Sequence, residues 1–396
     1  MSNRLAVVSG ASIAGLSAAY WLRRTGWDVV VVERAPEFRD GGQNVDVRGV
    51  AREVLRRMDL FDAVKALNTT ETGTVFVDED GEVTAELPSD GTDGATAELE
   101  ILRGDFAQVL RDHLPDGVEI VFDDAISTVD DVGGAVSVTT AAGQSWSADL
   151  LVVAEGVRSR TRDLVFDDVE RHPLGVNMAF GTIARTPSDD RQWRWHTTTE
   201  GRQVHLRPDN HGTTRAMLAY RDDDDLAALD RDDALAALRE RYEGVGWEAP
   251  RILDGLDDSD DVYLDSLTQI RMESWHRGRV VVSGDAAWCV TPMGGGGASL
   301  ALTSGYVLAA SLAEHPDDLE AAFAAYDEWM RPLVDDVQTI PKAVLGFAYP
   351  QTRLGLALRG LADKVMTSAP VKPLVEKMMS VADTDRELPA MPVTLA

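Results

Sequence analysis

The sequence predicts an α/β fold: a doubly wound parallel sheet, an inserted and mostly antiparallel domain, and C-terminal helices. Three observations carry this. A glycine-punctuated turn, GASIAG at 10–15, joins a short apolar segment to an amphipathic one. Continuous apolar runs at 29–32, 150–154 and 280–283 suit parallel strands buried on both faces. Between the last two, residues 172–267 mostly alternate apolar and polar, as in antiparallel sheet.

The elements follow in order. Residues 5–9 form a strand. Residues 13–24 form a helix, with Ile13, Leu16, Ala19, Tyr20 and Leu22 at helical spacing and Gly26 as its stop. A strand at 29–32 and one helix over 51–66 come next. Segments 74–77 and 82–87 flank the turn DEDG and read as a hairpin. A polar, glycine-rich loop covers 88–97. A helix at 106–114, a strand at 119–122 and a second hairpin, 135–140 with 144–148, precede the strand at 150–154. Within the alternating region a single helix is expected at 232–242, N-capped by Asp230. After the strand at 280–283, a glycine run at 294–297 opens a helix over 299–313. The tail from Asp317 is helical, with amphipathic stretches at 354–365 and 371–379. No internal repeat is visible. This divides the chain into a discontinuous nucleotide-binding domain (1–73, 98–170, 268–340), a substrate domain (74–97, 171–267) and C-terminal helices (341–396).

Composition narrows the function. A chain of 396 residues, 44% hydrophobic and 27% charged, can bury a sizeable core in two to three domains. The single cysteine, Cys289, excludes a disulfide framework and reads as an inert buried thiol. The net charge of −29, with only five lysines, opposes nucleic-acid and anionic-membrane binding. No apolar run reaches the ~18–20 residues that span a bilayer, so no membrane insertion is expected. Arg4 before an apolar stretch imitates a leader, but the glycines and Glu33 account for it better, and a cytoplasmic enzyme is expected. The acidic runs 222–225 and 257–261 read as solvated edges. Consecutive aspartates lack metal-loop spacing, so no metal ligand is assigned.

Two motifs carry chemistry. Gly10 allows the tight turn out of the strand, and Gly15 allows close helix–strand approach. The helix N-terminus offers N–H groups and a positive dipole end to a pyrophosphate. Ser12 stands where a glycine is usual, and its hydroxyl can bond a phosphate oxygen. Glu33, 23 residues after Gly10, can accept ribose hydroxyls. A carboxylate here favours an unphosphorylated ribose, hence FAD or NAD over NADP at this site, and the sequence beyond Glu33 favours FAD. The second motif is GRVVVSGDAAWCVTPMGGGGASLAL at 278–302. Asp285 ends a strand where it can accept hydroxyls of a sugar-like chain. Gly295, Gly296 and Gly297 remove side chains so that backbone N–H groups meet a planar ring, with the helix dipole favouring negative charge on it.

With GASIAG and Glu33-Arg34, GGQNVDVRG (41–49), ILRGDF (101–106), EGVRSRTR (155–162) and GDAAWCVTPMGGGG, the chain resembles the single-component FAD-dependent aromatic hydroxylases, the group of para-hydroxybenzoate hydroxylase. It is most similar in look to the tetracycline-inactivating and antibiotic-pathway members, over roughly residues 4–340. The resemblance implies that Glu33 binds the adenosine ribose, with Arg34 beside the adenine. It places Asp46 at the flavin and Arg103 at the diphosphate and ribityl region. Asp285 becomes the ribityl-binding aspartate. Arg39 lies near the nicotinamide-cofactor arginine, at a shifted spacing. NADPH or NADH would reduce FAD, O2 would add to give a C4a-hydroperoxide, and one oxygen atom would pass to an aromatic or polyketide-like small molecule. The flavin carries the chemistry, so no catalytic side chain is assigned.

Two positions depart from the pattern. Glu155-Gly156 replaces Asp-Gly, which puts Glu155's NAD(P)H role in question, and Trp288 replaces a common histidine. The substrate pocket is expected on the central sheet, from Phe180, Trp193, Trp195, His205 and Arg215, with Met293 before the glycine run. Other readings are an isoprenoid reductase of the geranylgeranyl type, a flavoprotein that binds a hydrophobic ligand without turnover, and a flavin halogenase. The halogenase tryptophan motif is only begun by WRW at 193–195. The oligomeric state, monomer or homodimer, is left open.

Overall fold

The protein is described by a computed structural model covering residues 4–38, 41–88, 99–340, 342–366 and 386–391. Six strands form the first sheet, in the order His276–Arg277, Val280–Val282, Leu150–Val153, Leu5–Ser9, Asp28–Val32, Val118–Val121. All pairs are parallel except the edge hairpin with His276–Arg277. Leu5–Ser9 lies at the centre, and its valines are fully buried. Helix Ile13–Arg24 follows it with the expected bounds. This helix packs on the long helix Gly297–Glu314: Ser17 Oγ donates to Leu302 O at 2.6 Å, and a Cβ on Gly305 would lie 2.4 Å from the Ala18 amide. That close crossing fixes the glycine run against the first turn.

Seven strands form the second sheet: Tyr263–Arg271, Glu170–Ile183, Thr214–Tyr220, Arg202–Pro208, Trp193–Thr198, Gly73–Val77 and Val83–Pro88. The early hairpin therefore completes the sheet built from the alternating region. It joins in parallel, Gly73–Val77 running beside Trp193–Thr198, so the sheet is not wholly antiparallel. One face is covered by helices Arg231–Arg241 and Ala249–Asp258 packed on Val204, Leu206, Ala216 and Leu218. The other face turns toward the parallel sheet and the C-terminal helices.

Several expectations need correction. The helix over 51–66 is two, Ala51–Arg57 and Phe61–Ala66, broken where Asp59 adopts φ +60°. Helix Ala249–Asp258, begun by a proline, was not expected beside Arg231–Arg241; the Asp230 cap is present. The second hairpin has a third strand, Ile126–Asp131. The helix expected from residue 106 starts at Arg103. The acidic runs are not simply solvated: Asp224 accepts from Asn177 and Tyr220, and Asp261 accepts from Thr182 and Arg215. C-terminal helices occur at Lys342–Ala348 and Arg353–Met366. The stretch 371–379 and most of the loop 88–97 lie outside the described residues.

Candidate active site

The nucleotide end is built from backbone. Gly10 has φ +105°, and a Cβ there would sit 2.4 Å from Ala154 O; at Gly15 it would sit 1.9 Å from Gly10 O. The turn therefore closes only with glycines. Ser12 is the helix N-cap residue, yet its side chain caps nothing. Its hydroxyl accepts from Arg103 Nη2 at 2.8 Å, so Arg103 and the glycine turn meet. Glu33 stands at the end of Asp28–Val32 and accepts from the amides of Ala11 (2.8 Å) and Ala35 (2.9 Å). Arg34 is exposed beside it, and Arg39 lies outside the described residues.

The ring end gathers three segments. Gly295 and Gly296 adopt φ +69° and +68° before helix Gly297–Glu314. In that helix's first turn, Ser299 Oγ donates to Asp46 O (3.0 Å) and accepts from the Arg48 amide (2.9 Å). Asp46 Oδ2 pairs with Arg48 at 2.8 Å, while its Oδ1 is buried with no hydrogen-bond partner among the described residues. Asp285 follows Gly284, where φ is +63° and a Cβ would lie 2.8 Å from Ala14 Cβ. Its carboxyl opens into the cleft, but the protein mass around it raises its pKa, and Arg103 offsets this only in part. Arg162, fully buried, donates to Val157 O and Ala286 O and so holds the Asp285 turn; its role was not foreseen. The glycine cradles, the orphaned Asp46 oxygen, Arg103 on Ser12 and the Asp285 carboxyl fit the diphosphate, ribityl chain and polar ring edge of FAD. Among the described residues no cluster of three potential metal ligands occurs.

The sheet face opposite carries two transverse rows. Register pairs align Phe76, Trp195, His205, Met217, Phe180 and Tyr263 across it. The next row holds Thr74, Trp193, Arg207, Arg215 and Thr182. Phe180 packs with Leu345 and Tyr349 of the C-terminal segment, with Met217 and Met293 at the border. Phe180 and Met293 are therefore brought together as expected. Met217, Leu345 and Tyr349 join them from positions that carry no local signal. Tyr263 lies 6.2 Å from Phe180, its hydroxyl pushed up to about 12 by burial and by Asp265. Asp265, also unforeseen, is raised to about 6 by burial and by Asp285.

Three expected pocket residues sit differently. His205 is 1% exposed, accepting from Trp193 Nε1 at Nδ1 (3.0 Å) and bonded through Nε2 to Gln203 (3.1 Å). Burial, and secondarily Arg207 and Arg359, hold it well below the usual imidazole range, so it is a neutral strut inside the sheet packing. Trp193 is committed to that strut and to Arg207, 4.1 Å from its ring. Arg215 is clamped by Asp209 (3.2 Å) and Asp261 (2.9 Å).

Glu155 also turns inward. Its oxygens accept from Ser9, Ser159, and the amide and hydroxyl of Thr161 at 2.5–3.0 Å, which ties the central strand to helix Arg160–Val165. That geometry leaves it no evident free lone pair for a cofactor. Trp288 packs on Trp275 at 4.4 Å in the core rather than in the cleft. Burial pushes the Cys289 thiol far above its ordinary value, as an inert core thiol requires.

This fold and cleft define an FAD-binding oxidoreductase. A family model described as the FAD binding domain matches residues 5–337, and the chain belongs to that family. It is 34% identical over 388 residues to the flavin-dependent monooxygenase eupH of Phoma sp, covering 90% of each chain. It is 38% identical to an uncharacterized protein of Mycobacterium tuberculosis, over 81% of this chain and 88% of that one. The solved tetracycline destructase Tet(51) superposes with a TM-score of 0.81 at 28% identity, over 96% of this chain and 99% of that one. The protein is an enzyme of the flavin-dependent monooxygenase family.

Proposed function

We propose that this protein uses NADPH or NADH and O2 to hydroxylate an aromatic, polyketide-like small molecule. The observation that carries the reading is the aromatic and methionine cluster in which Phe180, Met217, Met293 and Tyr349 pack together, with Met293 directly before the glycine run. This surface is apolar and aromatic, suited to a flat, electron-rich ring, and Met293 leads through the glycine run into helix Gly297–Glu314. When bound, FAD would supply electron transfer and oxygen activation. The chain's own groups do the rest. Gly10, Ser12 and Gly15 receive the pyrophosphate, Glu33 the adenosine ribose with Arg34 at its side, and Arg103 the diphosphate. Asp285 takes ribityl hydroxyls. Asp46 and the amides at Gly295, Gly296 and Gly297 hold the ring edge. Phe180 and Met293 orient the substrate and exclude water. The likeness to the flavin-dependent monooxygenase eupH supports oxygenation over isoprenoid reduction, and the likeness to the tetracycline destructase Tet(51) supports a ring system as substrate.

The test is NADPH and NADH oxidation by the FAD-loaded protein, with oxygen uptake followed together, over phenols, polyketides and tetracyclines. Stimulation by one compound, with matching oxygen consumption and a product heavier by one oxygen atom, is expected. Reduction of an isoprenoid double bond without oxygen uptake would overturn the reading in favour of a reductase. No stimulation by any compound would overturn it in favour of a silent binder.

A further inference from the structure

Where the ribbon of Asn44–Asp46 and Glu100–Leu102 meets the start of strand Gly73–Val77 lies a buried carboxyl pair that the proposed function does not use. Glu71 and Glu100 have side chains 1% and 2% exposed. Both lie on one guanidinium: Arg207 Nε meets Glu71 Oε2 at 2.9 Å, and Nη2 meets Glu100 Oε1 at 2.9 Å. Glu100 Oε1 also accepts from Asn44 Nδ2 (2.5 Å) and Thr69 Oγ1 (2.8 Å). The second oxygen of each acid, Glu71 Oε1 and Glu100 Oε2, is buried with no partner among the described residues. Two carboxylates against one arginine leave one negative charge too many for a dry site. One proton removes that charge from an acid whose second oxygen has no donor among the described residues to support it.

The pair is wired to the site at both ends. Glu100 is register-paired with Asp46 in the ribbon of Asn44–Asp46 and Glu100–Leu102, so their side chains share a face. Asp46 abuts the start of the glycine-run helix and keeps its own orphaned Oδ1. At the other end Arg207 lies on the substrate face, between the Trp193 ring and Arg215.

We propose that Glu71, strapped with Glu100 to Arg207, is a positioning residue that holds a proton at neutral pH, and that occupation of the FAD site changes how tightly that proton is held. The proton sits on Glu71 and is exchanged with water, the Glu71 O–H bond breaking as a bond to a water oxygen forms. No electrons move. The charged groups facing the pair are Arg207, Glu100's neighbour Asp46, and Arg48 on Asp46. Among them burial dominates, and Glu100 and Asp46 add to it while Arg207 opposes, so Glu71 is raised to about 8.

The coupling rests on FAD binding, but the proton does not, and the experiment separates them. Infrared difference spectra of the FAD-free protein between pH 6 and 10 should show the C=O stretch of a protonated carboxylic acid, lost with a midpoint near 8. Glu71→Gln should abolish that band, and Glu100→Gln should move its midpoint down by at least one pH unit. Absence in the native protein of a component titrating near 8, distinct from the Asp265 carboxyl that titrates near 6, would overturn the proposal, whatever the variants do. Titration with FAD, its binding read by visible absorbance, should then shift the midpoint by at least half a unit. An unmoved midpoint at full flavin occupancy refutes the coupling. By linkage, FAD affinity should vary with pH around 8 in the native protein and lose that variation in Glu71→Gln.

Discussion

The nucleotide end and the substrate face are built on opposite principles. At the nucleotide end the groups poised for a ligand are mostly main chain, and glycines make room for it: Gly10, Gly284, Gly295 and Gly296 all sit at positive φ. On the substrate face they are side chains, and most are already spoken for. Arg215 has two carboxylates, His205 has both nitrogens bonded, and Arg207 carries two acids and a tryptophan. A main-chain site tolerates little change, because a backbone cannot rotate away. A side-chain site is tuned by swapping partners. The difference teaches where a mutation should abolish binding and where it should only shift preference.

The sharpest way to break this contrast is Gly10→Val. The added side chain meets Ala154 O, and the backbone must hold φ +105° without glycine. A cost of roughly 3–5 kcal/mol is expected from strain and overlap together. Purified protein should lose bound FAD and melt well below the native chain; a variant with full flavin and unchanged Tm would mean that the turn is not the cradle. Asp285→Ala comes next. Loss of one charged hydrogen-bonding group should weaken FAD by about 10–100-fold, or roughly 1.5–3 kcal/mol. Full flavin occupancy after gel filtration would remove Asp285 from the site.

The same contrast explains what was legible in the sequence. Gly10, Glu33, Asp285 and the glycine run could be read because each role is set within a few residues of a strand end. Phe180 and Met293 were reachable as apolar residues beside those signals. Met217 and Tyr349 were not, since they reach the cluster through strand register and from just past a distant helix, Lys342–Ala348. Glu71 and Glu100 were invisible for the same reason, 29 residues apart with their carboxylates joined through an arginine far along the chain. The helix break at Asp59 and the unforeseen helix Ala249–Asp258 show tertiary packing overriding local periodicity.

Glu155 crosses the divide, a motif residue whose side chain is saturated. Glu155→Ala should destabilise the protein by roughly 2–4 kcal/mol, because Ser9, Ser159 and Thr161 are left as buried hydroxyls without an acceptor. Thermal unfolding of the FAD-loaded variant, beside stopped-flow flavin reduction by NADPH, checks this. An unchanged Tm with much slower reduction would show that the carboxylate leaves its hydroxyls to serve the nicotinamide.

The smallest effect sharpens the boundary between the two regions, where Asp265 of the substrate sheet faces Asp285 of the nucleotide end. Burial and Asp285 raise Asp265 to about 6 from an ordinary 3.8. The folded protein therefore holds this proton more tightly than the unfolded chain. Its contribution to stability is complete below about 3.8 and is lost as pH rises to about 6, with no further change above. Solvent reaching the half-buried carboxyl limits the effect to about 1 kcal/mol. Asp265→Asn cannot titrate, so the native chain should lose stability relative to it across that window. Denaturant unfolding of both FAD-free proteins at several pH values measures the difference, and parallel curves would mean that Asp265 does not feel Asp285 across the cleft.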